Sequence, residues 1–316
     1  MPKIYKIVFL GLDFAGKTSI LKILEGSYSG LDQIKPTKGT NRTQWEILGF
    51  NIITWDLGGQ KQYRDEYLAN YEQVLDETNL LIFVLDMQDG DRFNEAGAYF
   101  DDILNALDTL NIKCPLILCL HKSDPDIVSS APIITNLNWV TNLFSDYSQQ
   151  HDVEIKVFIT SIFDRKSLIE MFSHGIGKLV PIGILSQILD EFRQETKDVG
   201  VIGSILFDEK FFMVGNAFQD INSKDLCYKT INAFITLNRD FKWVYTEDQQ
   251  VDFSLKISNS DLYEFNLNKI TETRNPYYLL TMGKESFNYK EVSSIFLRKY
   301  VSKIEKGLDD LIKSIE

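Results

Sequence analysis

A single stretch near the start of the chain restricts the possible folds more than any other feature. Residues 11–18 read GLDFAGKT and satisfy the pattern G-x-x-x-x-G-K-T, and they lie between the apolar run YKIVFL and a helical pattern. Glycines let backbone N–H groups face a phosphate, and the following helix adds the positive end of its dipole. The stretch therefore predicts a phosphate-binding loop rather than an ordinary glycine turn. Kinases, ATPases and GTPases share such loops, so this motif leaves the base open.

The residue types within the loop indicate how it would hold a nucleotide. Lys17 is expected to bridge the β and γ phosphates, and the Thr18 hydroxyl is expected to bind Mg²⁺. We also assign to nucleotide binding the neighbouring residues Asp13, Ala15, Gly16 and Ser19. The loop thus predicts both phosphate and magnesium chemistry.

A second motif, WDLGGQ at residues 55–60, follows a predicted hairpin, TQWEILGFNIITWD, that turns at Gly49. Asp56 stands at the C-terminal end of a strand, where its carboxylate is expected to hold Mg²⁺ through water. Gly59 leaves a backbone N–H to meet a γ-phosphate, and Gln60 is expected to orient the attacking water as the catalytic residue. A bare turn is the alternative, which the order of the two motifs disfavours.

A third motif, HKSD at residues 121–124, comes directly after an apolar strand-like run. The Asp124 carboxylate is expected to accept two hydrogen bonds from guanine N1 and N2, which adenine cannot supply. The stem of Lys122 is expected to cover the base edge. A solvated Lys/Asp loop is the alternative, which the position on the strand disfavours. Backbone groups that complete the base pocket are assigned to Ser161 and Ile162.

Apolar runs and amphipathic patterns alternate through the first half of the chain. Short apolar runs predict buried parallel strands at residues 5–10, 79–86, 115–121 and 155–160. Apolar residues at helical spacing predict a helix over 98–110, and another is indicated at 139–144. Repeated strand–helix units of this kind predict an α/β fold with a mostly parallel sheet that is covered on both faces.

The pattern changes after residue 180. An amphipathic helix is followed by two strands, VIGSILF and KFFMVGNAF, a helix over 223–238, and three strands, VDFSLKI, LYEFNLN and PYYLLTMG. Apolar residues from Val292 onwards predict one long closing helix. At 316 residues the chain exceeds the usual size of one domain. We therefore predict two domains, residues 1–180 and a smaller α+β domain at 181–316.

Net charge and cysteine content narrow the partners and the compartment. The formal net charge is −12 and the pI is 4.9, which argues against nucleic-acid binding because phosphate neutralisation needs a basic surface. Cys114, Cys119 and Cys227 form no C-x-x-C pair and are interpreted as buried thiols in a reducing compartment. No apolar run has the length of a bilayer span, and lipidation motifs are absent. We expect a cytoplasmic protein without a direct membrane anchor, recruited to membranes only through partners.

Together the three motifs resemble those of the small GTPases over the first 180 residues. GLDFAGKT, PTKG at residues 36–39 and WDLGGQ resemble the Arf-type pattern, whereas HKSD, TSIFD, GKTSI and YFDDILNAL resemble the Rag/Gtr GTPases. The resemblance implies GTP/GDP and Mg²⁺ as ligands, and it makes Thr37 a switch residue whose hydroxyl joins Mg²⁺ only with a γ-phosphate. His121, assigned to nucleotide binding, replaces the usual Asn and cannot reproduce both polar contacts of an amide.

The Rag/Gtr resemblance also implies an identity for the second domain. In that family the GTPase domain is followed by a roadblock-type domain, which is longin-like and dimerises, and the predicted element order at 181–316 agrees with it. We expect a homodimer or a heterodimer with a related GTPase, together with activating and exchange proteins. A generic α+β domain that only stabilises the chain is the alternative, because no sharp motif marks this region.

The function expected from these motifs is a guanine-nucleotide switch. Switch II would be residues 61–75, whose tyrosines and leucines either bind a partner or pack beneath the sheet. Hydrolysis is expected to be slow without an activating protein, because Arg42 and Arg64 are interpreted as solvated side chains rather than a cis arginine finger. A scaffold that holds nucleotide without hydrolysis is one alternative. An ATP-dependent kinase is another, but it needs an acceptor site and an arginine-rich lid that are not visible.

Overall fold

The chain separates into two compact units, Pro2–Leu179 and Val180–Glu316. Each unit has its own sheet and is described by itself. The predicted hairpin turn at Gly49 lies outside the residues that the structure describes. The computed structural model describes residues 3–25, 34–47, 50–180, 183–208, 210–241, 250–256, 262–270, 277–284 and 287–313.

The first unit is built on a six-stranded sheet. Its strands are β1 (Ile4–Leu10), β2 (Thr40–Ile47), β3 (Phe50–Leu57), β4 (Thr78–Asp86), β5 (Leu116–His121) and β6 (Ile155–Ile159). They lie in the order β2-β3-β1-β4-β5-β6, and every neighbouring pair is parallel except the antiparallel β2 and β3. The predicted mostly parallel α/β sheet is confirmed.

Parallel strands bring their C-terminal ends to one edge of this sheet. Phe9 of β1 pairs with Asp56 of β3, and Asp86 of β4 pairs with His121 of β5. The loops that follow these strands therefore meet at that edge, where open α/β sheets bind their ligands. This topology places the three predicted motifs beside one another.

Six helices belong to the described part of the first unit. They are α1 (Lys17–Leu24), α2 (Lys61–Ala69), α3 (Tyr71–Leu75), α4 (Phe93–Leu110), α5 (Ala131–Gln150) and α6 (Arg165–Leu179). Aromatic contacts join α4 to the sheet and to α5. The ring centre of Phe100 in α4 lies 4.9 Å from that of Phe83 in β4 and 5.0 Å from that of Phe144 in α5. Phe83 and Phe144 also lie 6.2 Å apart between ring centres, so burial of these rings packs both α4 and α5 against β4.

The strand predicted at residues 155–160 is not fully buried, although its sequence is apolar. β6 is the last strand of the sheet and pairs with β5 alone. Val157 and Ile159 are 41% and 46% exposed. A strand at the edge of a sheet is covered by a neighbour on one side only, so its composition overstates its burial.

The second unit contains a five-stranded sheet in which every neighbouring pair is antiparallel. Its strands are β7 (Val201–Asp208), β8 (Met213–Phe218), β9 (Gln250–Lys256), β10 (Leu262–Ile270) and β11 (Tyr277–Lys284). Their order in the sheet is β8-β7-β11-β10-β9. The helices are α7 (Gly183–Glu195), α8 (Ile221–Phe241), α9 (Tyr289–Lys299) and α10 (Val301–Lys313).

The single closing helix predicted from Val292 is in fact two helices that meet at Tyr300. Val301 is buried, and five other buried side chains along it are spaced four residues apart: Val292, Phe296, Tyr300, Ile304 and Leu308. A four-residue step overshoots the 3.6-residue turn by about 40°, so the stripe would rotate away from the core along one straight helix. The interruption lets all five stay buried, and the Tyr300 hydroxyl donates a hydrogen bond to Glu195 of α7 at 2.7 Å.

The three cysteines are free thiols, with Cys119 and Cys227 buried and Cys114 half-buried. Burial raises the pKa of all three thiols above the usual value, so they are protonated near neutral pH. Among the described residues, no single helix has the length and hydropathy needed to cross a membrane; α6 and α7 meet that test only as a bent pair, by length and composition.

Candidate nucleotide-binding site

The loop at residues 11–16 joins β1 to α1 and requires glycine at two positions. Gly11 and Gly16 have φ angles of 138° and 98°. A Cβ at Gly11 would lie 2.2 Å from the carbonyl oxygen of Val84, and one at Gly16 would lie 2.5 Å from Cδ2 of His121. A side chain fits neither the conformation nor the space. The loop therefore lies tightly against the ends of β4 and β5.

A cavity of about 220 Å³ is lined by this loop, by residues 34–37 and by the end of β3. Its lining includes the predicted nucleotide residues Asp13, Gly16, Ser19 and Lys122. Ala15 is buried within the loop. A larger cavity of about 570 Å³ lies at the starts of β5 and β6, the other end of the sheet. Because that cavity contains none of the predicted motifs, the smaller one is the candidate nucleotide site.

Lys17 is buried at the mouth of the phosphate loop. Its Nζ donates hydrogen bonds to the carbonyl oxygens of Gly11 (2.9 Å) and Leu12 (2.8 Å). Burial lowers the pKa of Lys17 to about 8, against the opposing effect of the nearby Asp56. The ammonium is thus held in a place where an additional anion would stabilise its charged form. This is the property that phosphate binding requires.

Three oxygen-bearing side chains converge beside Lys17. The Thr18 and Thr37 hydroxyls lie 2.9 Å apart, and they donate to Asp56 Oδ2 at 2.6 Å and 3.1 Å. Burial raises the pKa of Asp56, partly offset by the hydrogen bond from Thr18. The three predicted magnesium residues therefore meet at one point, although they come from three separate segments.

Magnesium fits this donor set. Mg²⁺ prefers hard oxygen ligands and is usually held by one or two carboxylates together with substrate phosphates. Asp56 Oδ1 is buried and has no hydrogen-bond partner among the described residues. A buried carboxylate oxygen without a donor is costly unless a cation or an ordered water satisfies it. Thr18, Thr37 and Asp56 are thus the residues that would hold the metal, with Asp56 acting directly or through water.

The residues after β3 dock directly on the phosphate loop. The Asp13 amide donates to the Gly59 carbonyl at 3.0 Å, and a Cβ at Gly59 would lie 2.2 Å from the Asp13 nitrogen. Gln60 stands at the start of α2, where its side-chain oxygen lies 3.5 Å from Nε2 of Gln62. Gln60 is not among the described residues that line the cavity. The polar contact of the Gln60 side chain is thus with Gln62, in the first turn of α2, while the adjacent Gly59 lines the cavity.

Helices α2 and α3 cover the predicted switch II. Tyr67, Val74 and Leu75 are buried, so packing rather than partner binding accounts for these three residues. The Tyr67 hydroxyl donates to the Gly39 carbonyl at 2.7 Å and accepts from the Gly58 amide at 3.2 Å. The segment before β2 and the start of switch II are thus joined through one side chain.

The base-side loop is assembled from the ends of β5 and β6. Asp124 Oδ1 accepts a hydrogen bond from the Ser161 hydroxyl, which also accepts from the Phe163 amide. Lys122 has a φ of 58°, and its Nζ pairs with Asp86 Oδ2 at 2.6 Å. Ile162 is half-buried beside Ser161. The structure brings the predicted base residues Lys122, Asp124 and Ser161 together.

His121 occupies the position of the usual Asn and packs on the phosphate loop. Its ring is so close to Gly16 that any side chain there would collide with it, and its Nδ1 lies 2.9 Å from Oγ1 of Thr160. Burial, and to a smaller extent the charge of Lys122, lowers the pKa of His121 to about 3. A neutral ring with one polar contact therefore replaces the two contacts expected of an amide.

Replacing this imidazole is expected to make the nucleotide-free protein less sensitive to acid. Because the pKa of His121 is lower in the folded chain than in the unfolded chain, the unfolded state binds more protons between pH 6.5 and 3. Between pH 7 and pH 5, the free energy of unfolding of the wild type should fall by about 2 kcal/mol more than that of His121→Asn. Urea unfolding of both proteins at the two pH values measures the difference. Equal losses would contradict a buried neutral ring.

Arg64 is buried, whereas the sequence predicts a solvated side chain. Its Nε donates to the Gly59 carbonyl at 3.0 Å, its Nη2 pairs with Glu95, and its guanidinium lies 5.2 Å from the ring centre of Tyr99. A guanidinium stays charged in proteins, so burial demands such partners. Arg42 does remain exposed and stacks 3.8 Å from the ring centre of Trp55.

Arg92, which no sequence motif singles out, faces the phosphate loop from the start of α4. Its Nη2 pairs with Asp13 Oδ1 at 2.7 Å and its Nε pairs with Glu95 at 2.9 Å. Arg92, followed by Arg64, lowers the pKa of Glu95. The Asp13 carboxylate is thus paired with Arg92 at the start of α4. Ion pairs connect the phosphate loop, α2 and α4.

Two kinds of comparison relate this chain to known sequences. A sequence profile described as the Gtr1/RagA G protein conserved region matches residues 6–235. The chain is 39% identical over 119 residues to ADP-ribosylation factor-like protein 3 of Chlamydomonas reinhardtii, a match that covers 38% of this chain and 63% of that protein. It is 37% identical over 131 residues to ADP-ribosylation factor-like protein 3 of Caenorhabditis elegans, covering 41% and 67%. The chain thus spans less than two thirds of the Chlamydomonas relative.

A solved structure that matches part of this chain is the Arl6 BBS3 small GTPase of Trypanosoma brucei with a bound nucleotide analogue, GppNp. The match covers 56% of this chain and 98% of that one, with a TM-score of 0.44 and 21% sequence identity.

Proposed function

This chain belongs to the Gtr1/RagA family of G proteins, and we propose that it is a guanine-nucleotide switch with residues 1–180 as its small GTPase domain. Family membership implies binding of GTP and GDP, typically with Mg²⁺, and supports GTP hydrolysis. One observation carries the proposal: the oxygens of Thr18, Thr37 and Asp56 converge beside the buried ammonium of Lys17. That arrangement is suited to a phosphate chain and a magnesium ion.

Different residues of the site bind the phosphates and the base. Lys17 supplies positive charge over the loop, and the hydroxyls of Thr18 and Thr37 with Asp56 hold the metal. When bound, Mg²⁺ supplies charge neutralisation on the phosphates. Asp124 reads guanine through its carboxylate. We propose that the same residues make the switch, because Thr37 sits on the segment before β2 and ties it to the Asp56 carboxylate.

We propose that hydrolysis is slow until an activating protein acts. Gln60 is the residue proposed to orient water, yet it stands at the start of α2 and outside the described cavity lining. Arg64 and Arg92 are both engaged by carboxylates, so neither supplies a free guanidinium to the site. These positions support an enzyme that needs rearrangement for turnover. The alternative is a scaffold that holds nucleotide without hydrolysing it.

Single-turnover hydrolysis separates these alternatives. The lone wild-type protein should convert bound GTP to GDP slowly, and Gln60→Leu should lower the rate by about 10- to 100-fold because the water is no longer oriented. Gln73→Leu, an exposed glutamine of α3, is the matched control and should leave the rate unchanged. Absence of any wild-type conversion would favour the scaffold. Rapid conversion by the lone protein would contradict the need for an activator.

We propose that residues 181–316 form a roadblock-type dimerisation domain. The family profile continues to residue 235, well past the end of the first unit at Leu179. The described elements follow the expected order of helix, two strands, helix, three strands and a closing helical pair. The partner is a second copy or a related GTPase. Light scattering of the full chain over a range of concentrations tests self-association; a strictly monomeric mass would leave only the heterodimer.

We also propose a cytoplasmic location, with membrane recruitment through partners. Three free cysteines support a reducing compartment, because oxidising compartments favour disulfides. Fractionation of cells that express the tagged full chain tests the location. Recovery of the protein with membranes after its partners are removed would contradict it.

A further inference from the structure

The residues that follow β4 lie directly beside the base-side loop. β4 and β5 are parallel neighbours in which Asp86 pairs with His121, so the chain leaving β4 runs alongside residues 122–124. Gln88 is exposed and belongs to none of the recognised nucleotide motifs. Its amide nevertheless reaches two groups of the base-side loop.

Gln88 bridges the backbone and the carboxylate of that loop. Its Nε2 donates to the Lys122 carbonyl at 2.9 Å and to Asp124 Oδ2 at 3.1 Å. Its own backbone amide donates to Asp86 Oδ1 at 2.9 Å, while Asp86 Oδ2 pairs with Lys122 Nζ at 2.6 Å. Asp86 and Gln88 thus bond to Lys122 and Asp124, and these bonds involve the Lys122 backbone carbonyl as well as side chains.

The backbone at Lys122 explains why such a fastening is useful. Lys122 has a φ of 58°, a left-handed conformation that is disfavoured for residues other than glycine and is kept only where surrounding contacts impose it. The bond from Gln88 to the Lys122 carbonyl and the ion pair to Asp86 are such contacts. They hold the turn that aims the Asp124 side chain.

The Asp124 carboxylate keeps room for guanine despite these bonds. An ionised carboxylate has about four acceptor positions. Ser161 uses one on Oδ1 and Gln88 uses one on Oδ2. Each oxygen therefore retains a position, and guanine needs two, one for N1–H and one for the N2 amino group.

We propose that Gln88 is a positioning residue for guanine recognition, which holds the Asp124 carboxylate so that both oxygens receive the base at once. This inference rests on the proposed function, because it concerns the same base pocket. An amide that fixes the carboxylate before binding removes an ordering cost from association and so strengthens binding. Without Gln88, one Asp124 oxygen still accepts a hydrogen bond from the base, whereas the other is no longer aligned with its donor. The selectivity for guanine over a base without the N2 amino group should therefore fall.

The test compares GDP with IDP, whose base lacks the N2 amino group. Dissociation constants of both are measured on the full chain by competition with a fluorescent guanine nucleotide. Gln88→Met keeps the length of the side chain and removes its donors. We expect GDP to bind about 5- to 10-fold more weakly and IDP to change less, so that the GDP/IDP preference narrows. Gln149→Met, an exposed glutamine of α5, is the control and should match the wild type.

The possible outcomes separate this inference from the proposed function. A wild type that binds neither GDP nor GTP overturns the proposed function itself. A wild type that binds GDP, with an unchanged GDP/IDP preference in Gln88→Met, overturns the role of Gln88. Equal weakening of GDP and IDP assigns Gln88 to general loop stability and also overturns it. Tighter GDP binding in Gln88→Met would show that the amide competes with the base rather than positioning its acceptor.

Discussion

Asp124→Asn is expected to lower the affinity for GDP and GTP by about 100- to 10,000-fold and to create a preference for xanthine nucleotides. The range corresponds to the loss of two hydrogen bonds to a charged group. The Asn amide keeps one acceptor but presents a donor where guanine also has a donor. Xanthine carries a carbonyl at that place, so it accepts the new donor.

The structure makes this change specific to the base. Asp124 bonds to Ser161 and Gln88, and neither of those bonds reaches the phosphate residues. The affinity for the phosphate chain should therefore survive, and xanthine nucleotides should bind. Asp126→Asn provides the matched control, since Asp126 is exposed two residues further along the same loop. Unchanged GDP affinity in Asp124→Asn would contradict the assignment of base recognition.

Lys17→Met is expected to remove the stabilisation that GDP and Mg²⁺ give to the folded chain. A ligand at 1,000 times its dissociation constant stabilises the folded state by about 4 kcal/mol. Lys17 holds its ammonium on the carbonyls of Gly11 and Leu12, directly over the phosphate loop. Without that charge, the loop amides face the phosphates alone, and the ligand should no longer shift the unfolding temperature.

The same substitution has a second, pH-dependent signature in the nucleotide-free protein. The pKa of Lys17 is lowered to about 8 by burial, below its unfolded value, so the wild type gains stability from this group as the pH rises from 8 towards 10.5. Lys17→Met lacks that gain. Thermal unfolding with and without GDP measures both effects, with Lys22→Met in the same helix as the control. Full stabilisation of Lys17→Met by GDP would contradict the role of Lys17.

The phosphate loop, Asp56 and Asp124 are predictable from sequence because each is fixed by its place at the end of a strand. A glycine pattern before a helix, or a carboxylate after an apolar run, is a local signal. Parallel pairing then brings the strand ends to one edge, so the convergence of Thr18 and Asp56 follows from topology. Thr37 is different, since it lies in an irregular segment and only the family resemblance indicates its role.

Contacts between distant side chains were not predictable. Arg64 looks like a solvated arginine on a polar helix until Glu95, 31 residues away, is placed beside it. Gln88 reaches Asp124 across 36 residues. Such contacts depend on which loops the sheet brings together and on the rotamers chosen there. No spacing rule within a single segment encodes them.

The predictions of a single closing helix and of a fully buried β6 were wrong for a related reason. A four-residue apolar spacing is compatible with one helix over a short window, but over the length from Val292 to Leu308 the stripe would rotate away from the core, and the structure has two helices there. The apolar β6 reads as a buried strand, although its position at the sheet edge leaves Val157 and Ile159 half-exposed. Local composition reports what a segment contains, whereas burial depends on its neighbours.

The most direct test of the central claim is the nucleotide carried by the purified full chain. Denaturation of the protein followed by anion-exchange chromatography identifies the nucleotide and its amount per chain. A guanine-nucleotide switch should release GDP or GTP, and chelation of magnesium during purification should lower the amount retained, because Thr18, Thr37 and Asp56 are the residues that would hold a metal that neutralises phosphate charge. Recovery of ATP or ADP, or of no nucleotide with magnesium present, would contradict the account.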